Sequence, residues 1–262
     1  MLEAYTLYSG SSGNCILVKS KESAILFDAG KSARAIQTAL ASVNLDISKI
    51  NAIFVTHEHG DHTGGLEMIS KKYRIPVHIT APSYANYVRA GTFLSQVSVV
   101  HDVIYGVNIG DLKIKSFPIP HDAAQNVGYI IEAENGDKMG IATDMGFVTE
   151  EIVNNLTGCG TVIVESNHDR KMVRSGPYPA FLKERILSRH GHLSNEECAG
   201  LCVHLAKNGT RAITLAHLSR ENNTPILAFS TTKDALYKAG LEEVCLRVAS
   251  PESVVCATLQ GE

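Results

Sequence analysis

The stretch THEHGDHTGG, residues 56–65, follows the apolar run INAIFVT (50–56) and sets four ligand-type side chains within six positions: His57, His59, Asp61 and His62. Imidazole is the commonest metal-binding side chain near neutral pH, and carboxylates complete hard sites. On an extended backbone the i, i+2 spacing sends His57 and His59 to one side. Asp61 and His62 arrive as the chain turns toward a helix, so they are placed to face a second metal a few ångström away. Gly60, Gly64 and Gly65 permit so tight a path. The spacing rules out the helical H-E-x-x-H pattern, because these histidines fall at i, i+2 and i, i+5.

Working outward, short β-type runs precede the motif: AYTLY (4–8), CILVK (15–19) and AILF (24–27). KSARAIQTALASV (31–43) has helical apolar spacing. After the motif come a helix over 65–74, a strand VHIT (77–80) and a helix over 81–91 with Pro82 in its first turn. Strands VSVV (97–100), LKIKSFPI (112–119), VGYIIEAE (127–134), KMGIAT (138–143) and TVIVE (161–165) follow. Helices are expected at 180–189, at 194–209 and at 232–240. The second opens with Ser194 and Glu197 in capping-box spacing and closes on Gly209. RAITLAH (211–217) is a strand ending in histidine, and two strands close the chain. Strands and helices alternate in both halves, which predicts two sheets packed face to face with helices outside.

The 262 residues suit one α/β domain spanning 1–262, and 44% hydrophobic with 19% charged residues is a globular composition. There is no apolar run long enough for a membrane span and no signal-peptide pattern at the start, so a cytoplasmic protein without membrane association is expected. The six cysteines form no C-x-x-C pair and read as reduced, buried or partly buried thiols, with Cys198 and Cys202 on one helix face. A formal charge of −3 gives no global attraction to nucleic acid. Residues 168–192, however, carry six basic side chains against two acidic ones, a local stretch able to guide a phosphate backbone. Tryptophan is absent and aromatics are few, so no base-stacking platform is evident.

T-H-x-H-x-D-H resembles the signature of the metallo-β-lactamase fold superfamily. The resemblance implies a four-layer αβ/βα sandwich with metal at one sheet edge. It also implies three further ligands, matched by His121 in FPIPHDA, Asp144 in GIATDMG and His217 in TLAHLSREN. His57, His59, His121 and Asp144 would hold one divalent ion; Asp61, His62, Asp144 and His217 would hold the other. A water between the ions would supply the hydroxide nucleophile. The N and O ligands admit zinc, manganese or iron. Asp144 stands where the zinc β-lactamases carry cysteine, and His57-x-His59 differs from the His-x-Glu of the diiron branch.

GHLSNEECAGLCVHLAKNGTRAITLAHLSREN (191–222) resembles the end of the tRNA-processing phosphodiesterase branch. By that match His192 gives a proton to the leaving oxygen and Glu165 orients it; with Asp61 they form the implied catalytic set. SGSSGNC, THEHGDHTGG, PHDA, TDMG, ESNHD, GPYP, GHLSNE and HLSRENNTP together resemble the YycJ/WalJ-type branch of bacterial metallo-hydrolases, from residue 8 to about 225. That branch implies a 5′-to-3′ exonuclease with DNA as its nucleic-acid partner. Competing readings are a glyoxalase-II-like thioesterase, a cyclic phosphodiesterase, and a catalytically silent metal-bound regulator.

Three further expectations concern the rim. Ser11, Ser12 and Asn14 of the SGSSGN turn are expected to face the substrate, as are Ser219, Arg220 and Asn222 beside His217. Arg220 either binds phosphate or pairs with a carboxylate such as Glu221. Asp28, at the end of AILF, is expected to order a ligand histidine.

Overall fold

A computed structural model describes residues 2–91 and 98–259. Strands β1 (Glu3–Tyr8), β2 (Cys15–Lys19), β3 (Ala24–Phe27), β4 (Ala52–Phe54), β5 (Val77–Thr80) and β6 (Ser98–His101) belong to the first sheet. The second holds β7 (Gly106–Ile109), β8 (Leu112–Ile119), β9 (Asn126–Ala133), β10 (Lys138–Ala142), β11 (Thr161–Glu165), β12 (Ala212–Ala216) and β13 (Cys245–Val248). β14 (Val255–Cys256) returns to the first. The orders are β14-β1-β2-β3-β4-β5-β6 and β13-β12-β11-β10-β9-β8-β7. Val97, the first residue of the expected VSVV strand, lies outside the described residues.

Helices α1 (Ala33–Ser42), α2 (Gly60–Thr63), α3 (Leu66–Tyr73) and α4 (Ala81–Arg89) accompany the first sheet. α5 (Glu150–Leu156), α6 (Arg170–Ser175), α7 (Ala180–Leu187), α8 (Asn195–Lys207) and α9 (Pro225–Lys238) accompany the second. The period-2 alternation of strands sorts side chains into three cores. Ile25 and Phe27 of β3 face the second sheet, while Leu26 packs outward with Ile36 and Leu40 of α1. Across the sandwich, Val162 and Val164 of β11 meet Cys198, Leu201 and Leu205 of α8. Three cores separate four layers, which makes this the αβ/βα sandwich the sequence predicts. Ser194 and Glu197 close their capping box on α8, and Cys198 and Cys202 are buried with sulfurs 3.8 Å apart.

α9 starts at Pro225, seven positions before the expected 232. Thr224 caps it and Pro225 fills its first turn, where a missing N–H costs no hydrogen bond. β7, α5 and α6 were not foreseen. Among the described residues no helix is long and apolar enough to cross a membrane.

Directionality matters most for function. β3 and β4 are parallel, as are β10, β11 and β12, so their carboxyl ends reach one edge of the sandwich. The inner core fixes the height of that edge. Tyr129 of β9 lies 5.6 Å from Phe54 between ring centroids, and its hydroxyl donates to the Val55 carbonyl at 2.6 Å. The Val127 N–H donates to Thr56 O, tying the second sheet to the residue before His57.

Candidate metal centre

Every expected ligand follows the end of a strand. His57, His59, Asp61 and His62 follow β4; His121 follows β8, Asp144 follows β10 and His217 follows β12. Three strand-end residues turn left-handed: Asp28 (φ 62°), Asp144 (58°) and His217 (55°). Such a backbone is uncommon outside glycine, and three at one edge turn their side chains out of the strands into a common space. The ligand loop lies on a second loop without clearance. A Cβ on Gly30 would stand 1.7 Å from the Asp61 carbonyl oxygen, so only glycine fits there.

Ligand atoms gather into overlapping groups. His57, His59 and His121 form one; His57, His62 and Asp144 another; Asp61, His62 and His217 a third, each with donor atoms within 4.8 Å of one another. Asp144 lies between the two sides: Oδ2 is 3.3 Å from His62 Nε2, and Oδ1 is 3.5 Å from His217 Nδ1 and 3.8 Å from His121 Nε2. Buried Asp144 Oδ2 makes no hydrogen bond, an orphaned acceptor of the kind a cation satisfies.

The rear nitrogens of the histidines are committed to partners outside the cluster, which turns the forward ones toward one another and toward Asp61, Asp122 and Asn14. His62 Nδ1 donates to Asp28 Oδ2 at 2.7 Å. Asp28 also accepts from the Thr56 N–H and hydroxyl, and Thr56 Oγ1 in turn accepts from His57 Nδ1 at 3.0 Å. His121 Nδ1 donates to Gly191 O, and His217 Nδ1 to Glu165 Oε1 at 2.9 Å. These bonds assign the tautomers: Nε2 of His57, His62, His121 and His217 carries the lone pair. The nitrogen and oxygen donors, their aim and the orphaned carboxylate oxygen all fit divalent metal.

Charge follows the same plan. Burial opposes charge on His62, but Asp144 and Asp28 outweigh it and hold its pKa well above the usual histidine range. His217 is pushed up to about 10 against its burial, chiefly by Asp144 and then by Asp61 and Glu165. Burial, reinforced by the neighbouring His62, pushes His57 well down, and Asp144 offsets this only in part. Asp144 is held well below the carboxylate range despite burial, through His217 and His62. In the metal-free chain His62 and His217 thus carry a second proton, on Nε2, that balances the carboxylates; a bound cation would displace it and expose the Nε2 lone pair.

Glu165 is fully buried and accepts four hydrogen bonds. They come from His192 Nδ1 (2.8 Å), His217 Nδ1 (2.9 Å), Met145 N (2.7 Å) and Leu193 N (3.0 Å). Its pKa drops to about 2: burial opposes this, and His192 and His217 prevail. His192 is raised against its own burial, first by Glu165.

A cavity of about 230 Å³ opens over the ligands, walled by His192, Ser11, Ser219, Tyr178, Leu182 and Arg185. The structure brings Ser11 and Ser219 to this wall and leaves the other expected substrate contacts out of the lining. Asn14 is buried; its side chain accepts from Gly10 N and donates toward Asp61 Oδ2 and His62 Nε2, clamping the SGSSGN turn onto the ligand loop. Ser9 of the same hairpin accepts from His217 N. Ser12 Oγ accepts from Lys31 Nζ and Arg220 Nη2, so Arg220 braces the turn rather than pairing with Glu221. Asn222 is buried, its N–H bonded to Ser219 Oγ and its carbonyl to Asp169 N. Sequence reasoning missed Tyr178, Leu182 and Arg185. Arg185 Nε donates to Asp122 Oδ2, and Asp122 Oδ1 is 3.1 Å from His121 Nε2, linking α7 to a ligand.

Fold and site together define a class. Residues 23–217 match the β-lactamase superfamily domain, and the chain belongs to that superfamily of metallo-hydrolases. More particularly, it is 35% identical over 235 residues to exodeoxyribonuclease YycJ of Bacillus anthracis, covering 89% of each chain. It is 34% identical over 239 residues to exodeoxyribonuclease WalJ of Streptococcus pneumoniae, covering 90% of this chain and 88% of that one. Among solved structures, the metallo-β-lactamase fold protein YhfI of Bacillus subtilis superposes with a TM-score of 0.70. The overlap spans 98% of this chain and 99% of YhfI at 12% identity, a likeness of fold alone.

Proposed function

We propose that this protein is a metal-dependent phosphodiester hydrolase, a 5′-to-3′ exonuclease on DNA that uses two divalent ions of the zinc or manganese type. His57, His59, His121 and Asp144 would hold one ion; Asp61, His62, Asp144 and His217 would hold the other. The observation that carries the reading is the pairing of this ligand set with a Glu165-bound His192 on the same cavity wall. The DNA substrate is supported by full-length similarity to two relatives named exodeoxyribonucleases. When bound, the ions would acidify water and stabilise charge on both oxygens of an in-line displacement.

The chain's own residues do the rest. His192 gives Nδ1 to Glu165, turns its other nitrogen toward the cavity, and delivers a proton to the leaving oxygen. Glu165 is a positioning residue: buried beneath two histidines, it keeps His192 protonated and aimed. The Arg185 guanidinium and the Ser11 and Ser219 hydroxyls offer donors to phosphate oxygens. Tyr178 and Leu182 add apolar surface to the cavity wall.

The test compares leaving groups. His192→Ala should keep its metal content yet lose about 10²–10⁴-fold on a DNA strand, whose leaving alkoxide needs a proton. It should lose far less on bis(4-nitrophenyl) phosphate, whose leaving phenolate needs none. Equal losses on both, or loss of metal, would refute the proton-donor role. Intact DNA beside rapid cleavage of a thioester or cyclic nucleotide would refute the nuclease reading.

A further inference from the structure

A second cavity, of about 190 Å³, shares His192 as a wall residue with the cavity over the metal-binding cluster. His192 is the residue common to the two linings. Arg170, Arg174 and Arg189 line the second cavity, with His168 among its walls. His168 is 1% exposed, and neither of its ring nitrogens has a hydrogen-bond partner. A buried imidazole with both nitrogens unsatisfied is costly and calls for a ligand. One ring nitrogen carries hydrogen in either neutral tautomer, so the ring always has a donor to offer.

The one carboxylate in this cavity is already engaged. Glu197 accepts from Arg170 Nη2 at 2.9 Å and from the Ser194 hydroxyl at 2.6 Å. The Arg189 guanidinium lies 3.9 Å over the Phe147 ring, a cation–π contact that uses its face and none of its N–H donors. Arg174 makes no side-chain hydrogen bond or ion pair among the described residues. The lining therefore has a surplus of oriented, positively charged donors, the chemistry that recognises phosphate.

We propose that this cavity is a phosphate subsite, taking the phosphate one nucleotide beyond the scissile bond on the leaving-group side. The anion chemistry rests on the cavity itself; its place in the strand rests on the nuclease reading, since His192 serves the leaving oxygen. For an enzyme working inward from a 5′ end, the first phosphate on that side is the terminal 5′-phosphate. The stretch of six basic residues from 168 to 192 thus divides its work, with Arg185 facing the metal cavity and Arg170, Arg174 and Arg189 facing this one.

Chelator-treated full-length protein titrated with inorganic phosphate tests the subsite without any metal or turnover. Calorimetry should show saturable binding, weakened at least tenfold in the double variant Arg174→Gln/Arg189→Gln. The His168 ring nitrogen resonances should move on phosphate addition, and His168→Phe should weaken binding with the arginines intact. Unchanged phosphate affinity in the double variant, provided it unfolds at the wild-type temperature, would overturn the subsite. So would immobile His168 resonances. Metal-loaded protein then distinguishes the source of the phosphate. A 5′-phosphorylated strand degraded at least tenfold faster than its 5′-hydroxyl counterpart, with the ratio collapsing in the double variant, identifies the terminal phosphate. Equal rates with both strands weakened in the variant identify an internal one. Phosphate binding without any DNA cleavage would leave the subsite standing and refute the nuclease reading alone.

Discussion

Replacing Glu165 by Gln alters one atom and rewires the site. The carboxylate accepts from two backbone N–H groups through Oε2 and from two imidazoles through Oε1. Glutamine offers one acceptor oxygen and one donor nitrogen. The Met145 and Leu193 N–H groups cannot change character, so the amide oxygen stays with them and the NH₂ turns toward the histidines. His192 and His217 must then accept at Nδ1 and carry hydrogen on Nε2. His217 loses its forward lone pair, and the charged partner of His192 is gone. Two charge-assisted bonds at about 1.5–3 kcal/mol each become neutral ones near 1, a destabilisation of about 1–4 kcal/mol. At this chain length that lowers the melting temperature by about 2–15 °C. Metal affinity should fall about 10–100-fold, the usual cost of losing a partner that orients a ligand. Differential scanning calorimetry of the metal-free variant measures the first effect, and competition against a chromophoric chelator measures the second. A variant that melts with the wild type and binds metal within twofold of it would refute the reasoning.

Asp28→Asn should reduce metal affinity about 10–100-fold through His62, read by the same competition, because the amide cannot accept from Thr56 and His62 as the carboxylate does. Gly30→Ala sets a methyl against the Asp61 and Asn14 backbone, which cannot move aside, and should destabilise by more than about 4 kcal/mol in denaturant titration. Burial, reinforced by His101, lowers the His78 pKa from 6.5 to about 4. The unfolded chain therefore takes up this proton first; stability from neutral His78 is complete above pH 6.5 and is lost as the pH falls toward 4. Allowing for partial solvent screening, wild type should lose about 2 kcal/mol more than His78→Phe between these limits, read from denaturant midpoints.

The strand-end positions of the candidate ligands are legible because apolar runs mark strands and ligand-type residues stand directly after them. CILVK, AILF, VHIT, LKIKSFPI and TVIVE have the same bounds in sequence and structure. The sequence pattern shortens α9 because its first turns carry exposed Ile226 and Phe229, which blur the amphipathic pattern, although Thr224 and Pro225 mark the true start. Contacts between distant segments were hidden. The Ser12–Arg220 bond spans 208 positions, and no local pattern tells that Asn14 clamps the ligand loop instead of facing the cavity. Arg185 and Tyr178 reach the site only because α6 and α7 fold back over it. Asp28 and Glu165 were easier, as carboxylates directly after or at the end of apolar strands.

The central claim is tested most directly by following a 3′-labelled, 5′-phosphorylated DNA strand as metal is titrated into chelator-treated protein. The account predicts stepwise shortening from the 5′ end that grows until two ions per chain are bound and stops when chelator is restored. Full-length DNA at every metal loading, with two ions bound and the fold intact, would contradict it.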